Sequence, residues 1–216
     1  MKKEKEDIYT LELPEGEDTI RRGMVNLPEG FKGRLIIPEG VQMLGDGCFM
    51  DKPITAVSLP KSLREIGIGA FVRCRLRELR VEGDGRMVKI YFSAFEQNPG
   101  LSAVTLGNCE LQSWIFRKCP VSRITLTGEC IPPEKDDTFG FVGCRNQLSD
   151  NFFEAVRDKY GGALGTYALK GKLAEVNYKP DGRHVGCAKC DYRCYTLVGF
   201  EDDRSKMPVF EWEKIE

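Results

Sequence analysis

Apolar residues recur in one order three times between Ile54 and Cys119. The copies open on Ile54, Val57 and Leu59, then Leu76, Leu79 and Val81, then Leu101, Val104 and Leu106, always as apolar, two variable, apolar, one variable, apolar. Each closes on a phenylalanine, Phe71, Phe95 or Phe116, with Cys or Asn three residues later. Alternation over the opening residues predicts a short strand with Val57 and Leu59 inward and Ser58 outward. A second apolar segment, VQML, SLREI or CELQS, predicts a second strand. It holds a spacing of five to the closing aromatic: Leu44 to Phe49, Ile66 to Phe71, Ile90 to Phe95 and Leu111 to Phe116. A unit this short cannot bury its own apolar face and must lean on its neighbours, so the pattern predicts a β-rich solenoid of stacked, parallel short strands.

The ends of the array depart from the pattern. Leu11, Leu13 and Pro14 suggest a degenerate first coil, and Ile20 with Val25 keep the five-residue spacing. Turns are expected at Pro60, Gly83 and Gly107, where proline fixes φ and glycine permits a positive one. Asn151 and Glu154 have the form of a capping box, and Phe152, Phe153, Val156 and Tyr160 make an apolar helical stripe ending at Gly161. That helix is expected to cap the solenoid, giving a first domain over 1–160. A second domain, 161–216, is expected as a small antiparallel β appendage of three segments, TYALKGKLAEVNY, RCYTLVGF and MPVFEWEKI. Too small to bury much alone, it should dock on the last coil or on another chain, which leaves a homo-oligomer through the appendage open.

Composition narrows the classes. The 216 residues are 41% hydrophobic, enough for a core, and 33 acidic residues nearly balance 32 basic ones. Without a global field, nucleic acid is not an expected partner. No apolar run approaches the roughly 18 residues of a membrane span. The start MKKEKEDIYT passes from lysines to Glu6 and Asp7 with no apolar segment behind it, so the chain reads as not exported. Of nine cysteines, an odd number, the six Cys48, Cys74, Cys109, Cys119, Cys130 and Cys144 are scattered through the repeats and read as buried structural thiols, and a cytoplasmic location is expected.

The run LP-x-S-L-x-x-I-G-x-x-A-F-x-x-C from Leu59 to Cys74 resembles the BspA-type leucine-rich repeat of gut bacteria and some protists. The likeness covers roughly residues 10 to 160. It extends to IPPEKDDTFGFVGC from Ile131 to Cys144, departing where Asp136 stands five before Phe141 in place of an apolar residue. The resemblance implies a repeat scaffold for adhesion or protein binding. Many members are exported, so a cell-surface adhesin is a further reading should the native gene extend upstream.

Two sets of residues invite a functional reading. The outward strand positions Ser58, Arg80, Thr105 and Thr125, beside Ala56, Glu78, Ala103 and Arg123, should line up across the sheet as a binding surface. Trp114, one residue before the Ile115-Phe116 corner, is a second contact candidate if partly exposed, with core packing as the alternative. In the tail, His184, Cys187, Cys190 and Cys194 are four soft ligand types within eleven residues. Zinc suits Cys and His, but its structural sites usually join two well-separated halves, so no metal or other cofactor is expected here. No catalytic set is found. The expected function is a non-enzymatic protein-protein interaction scaffold, with a metal- or redox-dependent tail module as the alternative.

Overall fold

The computed structural model describes residues 7–132, 152–171, 173–177, 193–197 and 211–216. In chain order the solenoid strands are β1 (Asp7–Thr10), β2 (Thr19–Ile20), β3 (Gly33–Ile36), β4 (Met43–Leu44), β5 (Ile54–Ser58), β6 (Glu65–Ile66), β7 (Glu78–Val81), β8 (Val88–Ile90), β9 (Ala103–Leu106), β10 (Cys109–Leu111), β11 (Arg123–Leu126) and β12 (Cys130–Ile131). Helix α1 (Phe153–Tyr160) follows, then β13 (Gly165–Leu169), β14 (Leu173–Asn177), β15 (Arg193–Leu197) and β16 (Trp212–Lys214). Every coil contributes one odd-numbered and one even-numbered strand, and each set stacks in parallel.

The expected inward residues make the core. Leu44, Ile66, Ile90 and Leu111 are buried, as are the four phenylalanines that follow each of them by five. Phe49, Phe71, Phe95 and Phe116 stack face to face down one edge, with centroids 4.8, 5.2 and 5.7 Å apart. The residue three beyond Phe71, Phe95 and Phe116 ties its coil to the preceding one. Cys74 Sγ lies 3.1 Å from the Phe49 carbonyl and Cys119 Sγ 3.1 Å from that of Phe95. Asn98, buried between them, donates to Phe71 O at 2.9 Å and Phe95 O at 2.8 Å and accepts from the Leu76 amide. Burial pushes the Cys48, Cys74 and Cys119 thiols up to about 12, which makes them structural rather than nucleophilic.

Glycine acts at other places than those expected. Gly83 and Gly107 do not have positive φ. At Gly107 the constraint is close approach, since a Cβ would meet Val81 O at 3.2 Å. The left-handed residues instead flank each anchor ring two before and two after: Gly47 and Asp51, Gly69 and Arg73, Ser93 and Gln97, Trp114 and Lys118, all with φ between 54° and 64°. This backbone turns the amides toward the next coil. Gly47 N bonds Ile68 O, Phe49 N bonds Ala70 O and Asp51 N bonds Val72 O, and the same three bonds recur from Gly69, Phe71 and Arg73 and from Ser93, Phe95 and Gln97. A non-glycine residue held left-handed costs about 1 to 2 kcal/mol, offset here by an inter-coil hydrogen bond that would otherwise be missing.

The odd-numbered strands do not make one continuous ladder. β1, β3 and β5 form one sheet, while β7, β9 and β11 belong to another. Within the first sheet the β3–β5 ladder carries a bulge: Gly33 pairs with Ile54 but Arg34 pairs with Ala56, leaving Thr55 over. Thr55 O accepts from Arg77 N instead. The extra residue also disturbs the expected alternation, burying Ala56 and leaving Leu59 only half-buried.

The expected terminal helix forms, with Phe152 and Val156 buried and Gly161 left-handed, donating to Arg157 O. Its first turn begins after Phe152 with no side-chain cap, and Asn151 lies outside the described residues. The long β-like segment beginning at Thr166 is two strands, interrupted at Gly171, whose φ is 94°. β13 runs antiparallel on β11 and β16 antiparallel on β13, so both extend the solenoid sheet. Phe152, Tyr167 and Trp212 meet edge to face against that end, with centroids 5.6 and 5.0 Å from the Phe152 ring. β14 and β15 form a separate hairpin with Val176 opposite Cys194.

Candidate interaction surface

Parallel register places residues of the same coil position side by side. Glu78 pairs with Ala103 and Ala103 with Arg123, while Arg80 pairs with Thr105 and Thr105 with Thr125. Their side chains leave the face opposite the core, because Leu79, Val104 and Ile124 between them are buried. Adjacent strands lie about 4.8 Å apart, so each row is a regular file of small polar and charged groups. Ser58 stands outside the file: it pairs with Ile36 in the other sheet, across the break between β5 and β7.

The file runs further than its four expected members. Because β13 lies on β11, Thr166 pairs with Thr125, their hydroxyls 3.1 Å apart, and Ala168 pairs with Arg123. Glu213 on β16 continues the Arg123 row beyond Ala168. The alternation Thr166, Tyr167, Ala168, Leu169 carried the signal for this strand, but nothing in its order revealed which sheet it would join. Ion pairs stiffen the face. Arg80 bonds Glu82 at 2.6 Å, Glu82 accepts from the Thr127 hydroxyl at 3.1 Å, and Arg34 reaches Glu78 at 3.9 Å across the break between the sheets. These exposed pairs contribute little stability, about 0 to 1 kcal/mol each, but they hold charged groups in fixed positions.

A second surface lies along the coil corner beside the phenylalanine stack. Asp51 holds Arg73 through two bonds of 2.6 and 2.8 Å, and the Arg73 guanidinium keeps the Asp51 carboxyl below the usual aspartate range. One coil on, Glu96 faces Arg117 at 3.6 Å, with both side chains largely buried. Arg117 also sits over the Trp114 ring at 5.8 Å, and Phe92 packs 6.4 Å from the same ring. Trp114 is thus half-buried and wedged between an arginine and an aromatic.

His184, Cys187 and Cys190 lie outside the described residues, and Cys194 is placed on β15 by its backbone alone. Among the described residues, no group of three or more His, Cys, Asp or Glu is arranged to hold a metal ion. No helix among them is long and apolar enough to cross a membrane.

Residues 33–135 match the family model described as the BspA type leucine rich repeat region, in six copies. Neither a curated protein nor a solved structure matches the chain.

Proposed function

Residues 33–135 belong to the BspA-type leucine-rich repeats, and from that premise we propose that this chain is a non-enzymatic scaffold that binds a protein partner through the outward face of β7, β9, β11 and β13. One observation carries the reading: a file of Arg80, Thr105 and Thr125 beside Glu78, Ala103, Arg123 and Ala168, in unbroken register over four strands and ending on the buried Thr166. Small residues at its centre let a partner backbone or side chain approach closely. Arg80, Glu78 and Arg123 at its flanks supply directional, charge-assisted hydrogen bonds. Fixed spacing between strands suits an extended peptide or a second regular surface, as solenoid faces generally do.

Immobilised full-length chain, exposed to a lysate of its source organism, is expected to retain a discrete protein. A Thr105→Arg, Arg123→Glu double variant, with unchanged circular dichroism and melting midpoint, is expected to release it by at least about tenfold in affinity, the loss typical of central interface positions. Equal retention by the folded double variant removes this face from the function. A cytoplasmic location is part of the same proposal, and fractionation of the source cells tests it.

A further inference from the structure

Cys109 and Cys130 are direct register partners on β10 and β12, strands of adjacent coils. Both therefore point to the same side of the sheet, with backbones about 4.8 Å apart. That spacing lies within the Cα separations of about 4.4 to 6.8 Å that a disulfide spans. The two thiols differ in access. Cys109 is fully buried, while Cys130 is partly exposed. Cys130 Sγ lies 3.2 Å from Gly107 O, and Cys109 Sγ only 4.0 Å from Val81 O. We propose that Cys130 is a modification site for hydroperoxides and that Cys109 resolves it, closing a disulfide between the two coils.

The environment suits those roles. A hydrogen bond from the Cys109 thiol favours the Cys130 thiolate and lowers its pKa, while the same contact, followed by burial, raises that of Cys109. In the first step the Cys130 thiolate attacks the terminal oxygen of the hydroperoxide. An S–O bond forms, the O–O bond breaks, and the leaving alkoxide takes up a proton as an alcohol; sulfur is oxidised to the sulfenic acid and the peroxide reduced. In the second, the Cys109 sulfur attacks Cys130 Sγ. The S–S bond forms, the S–O bond breaks, and the departing hydroxide leaves as water with the Cys109 proton. The bridge would tie β12 to β10 and so fasten the last described coil of the even-numbered sheet. Cys48, Cys74 and Cys119 serve as internal controls, buried and with pKa values pushed up to about 12.

Trypsin separates the pair, since Cys109 is the sole cysteine of peptide 90–117 and Cys130 the sole cysteine of peptide 124–135. Native full-length chain is treated with hydrogen peroxide, blocked with N-ethylmaleimide and digested without reductant. The expected product is 90–117 joined to 124–135, two hydrogens lighter than the sum and separated by dithiothreitol, while Cys48, Cys74 and Cys119 stay alkylatable after unfolding. In a folded Cys109→Ser chain, dimedone should trap Cys130 as a sulfenic acid. Recovery of Cys130 from the wild-type chain as free thiol, as sulfinic or sulfonic acid alone, or bridged only to another cysteine overturns the proposal. So does native iodoacetamide labelling of Cys130 no faster than of Cys119, a measurement that needs no variant.

Discussion

The corner of the coils and the C-terminal end solve one problem, keeping an apolar cross-section from water, in opposite ways. At the corner the solution repeats: Phe49, Phe71, Phe95 and Phe116 lie nearly parallel, with interplanar angles of 7° to 18°. At the end nothing repeats. Phe152 meets Tyr167 and Trp212 at 87° and 76°, and Tyr160 donates to the Trp212 carbonyl. Each repeated ring needs only the next copy of itself, whereas the last coil has no next copy. It requires a helix, two antiparallel strands and three different aromatics brought from positions 152 to 212. A solenoid's interior is therefore written once and reiterated, while its closure is a separate invention with its own long-range contacts.

The largest effect should come from breaking the repeated side. Phe95→Ala removes a buried ring with neighbours on both sides and is expected to cost about 3 to 5 kcal/mol in urea unfolding. Phe49→Ala, with one ring partner among the described residues, is expected to cost less. Equal losses would show that the stack is four independent burials rather than a shared column.

Breaking the closure comes next. Trp212→Ala is expected to cost about 3 kcal/mol and, unlike the corner variants, to make the chain associate, because loosening β16 and β13 bares the edge of β11. Concentration-dependent light scattering checks it. A monomeric variant with the same loss would mean that Trp212 fills space without guarding an edge.

Asn98 sharpens the comparison within the repeat. Asn98→Ala strands the Leu76 amide, takes one donor each from the Phe71 and Phe95 carbonyls, and is expected to cost about 1 to 3 kcal/mol. Asn98→Cys, which copies the residue used at Cys74 and Cys119, should recover part of the loss through the Phe71 carbonyl but not the bond to Leu76. Chemical denaturation of the three chains orders them.

The smallest effect is electrostatic. Asp51 has its folded pKa depressed by the hydrogen bond from Arg73, so its contribution is present above the ordinary aspartate value near 3.8 and lost as pH falls through the lower folded value. The pair is exposed, so Asp51→Asn is expected to cost about 0.5 kcal/mol at neutral pH. The gap to the wild type should narrow once the pH drops below that ordinary value. A gap that persists unchanged into strong acid contradicts the assignment.

The same contrast explains what was legible in the residue order. The five-residue spacing located every anchor ring from Phe49 to Phe116, because a fixed spacing is a local property that each coil must obey. Period-2 alternation likewise put Arg80, Thr105 and Thr125 on one face. Ser58 lies outside that file because β5 ladders with β3 and makes no ladder with β7, and the apolar pattern does not mark where one sheet ends and the next begins. Gly83 and Gly107 do not use the positive φ that glycine permits; at the coil corners it falls on Gly47 and Gly69 and on the non-glycine residues Asp51, Arg73, Ser93, Gln97, Trp114 and Lys118. Those residues carry no shared chemistry; Asp51, Arg73, Ser93 and Gln97 share an amide bonded to the next coil, visible only once the coils are stacked. For the same reason the pairing of Thr166 with Thr125 was not announced, since alternation shows that a strand forms and not which edge it joins.

Amide hydrogen exchange on the full chain tests most directly the claim that the closure is built onto the repeat as part of one sheet. The account expects amides of β9, β11 and β13 to exchange as one protected group, within about tenfold of one another, since hydrogen-bonded strands of a cooperative unit open together. Exchange from β13 faster than from β11 by about a hundredfold or more would contradict it, leaving the repeat and its C-terminal strands as two bodies that merely touch.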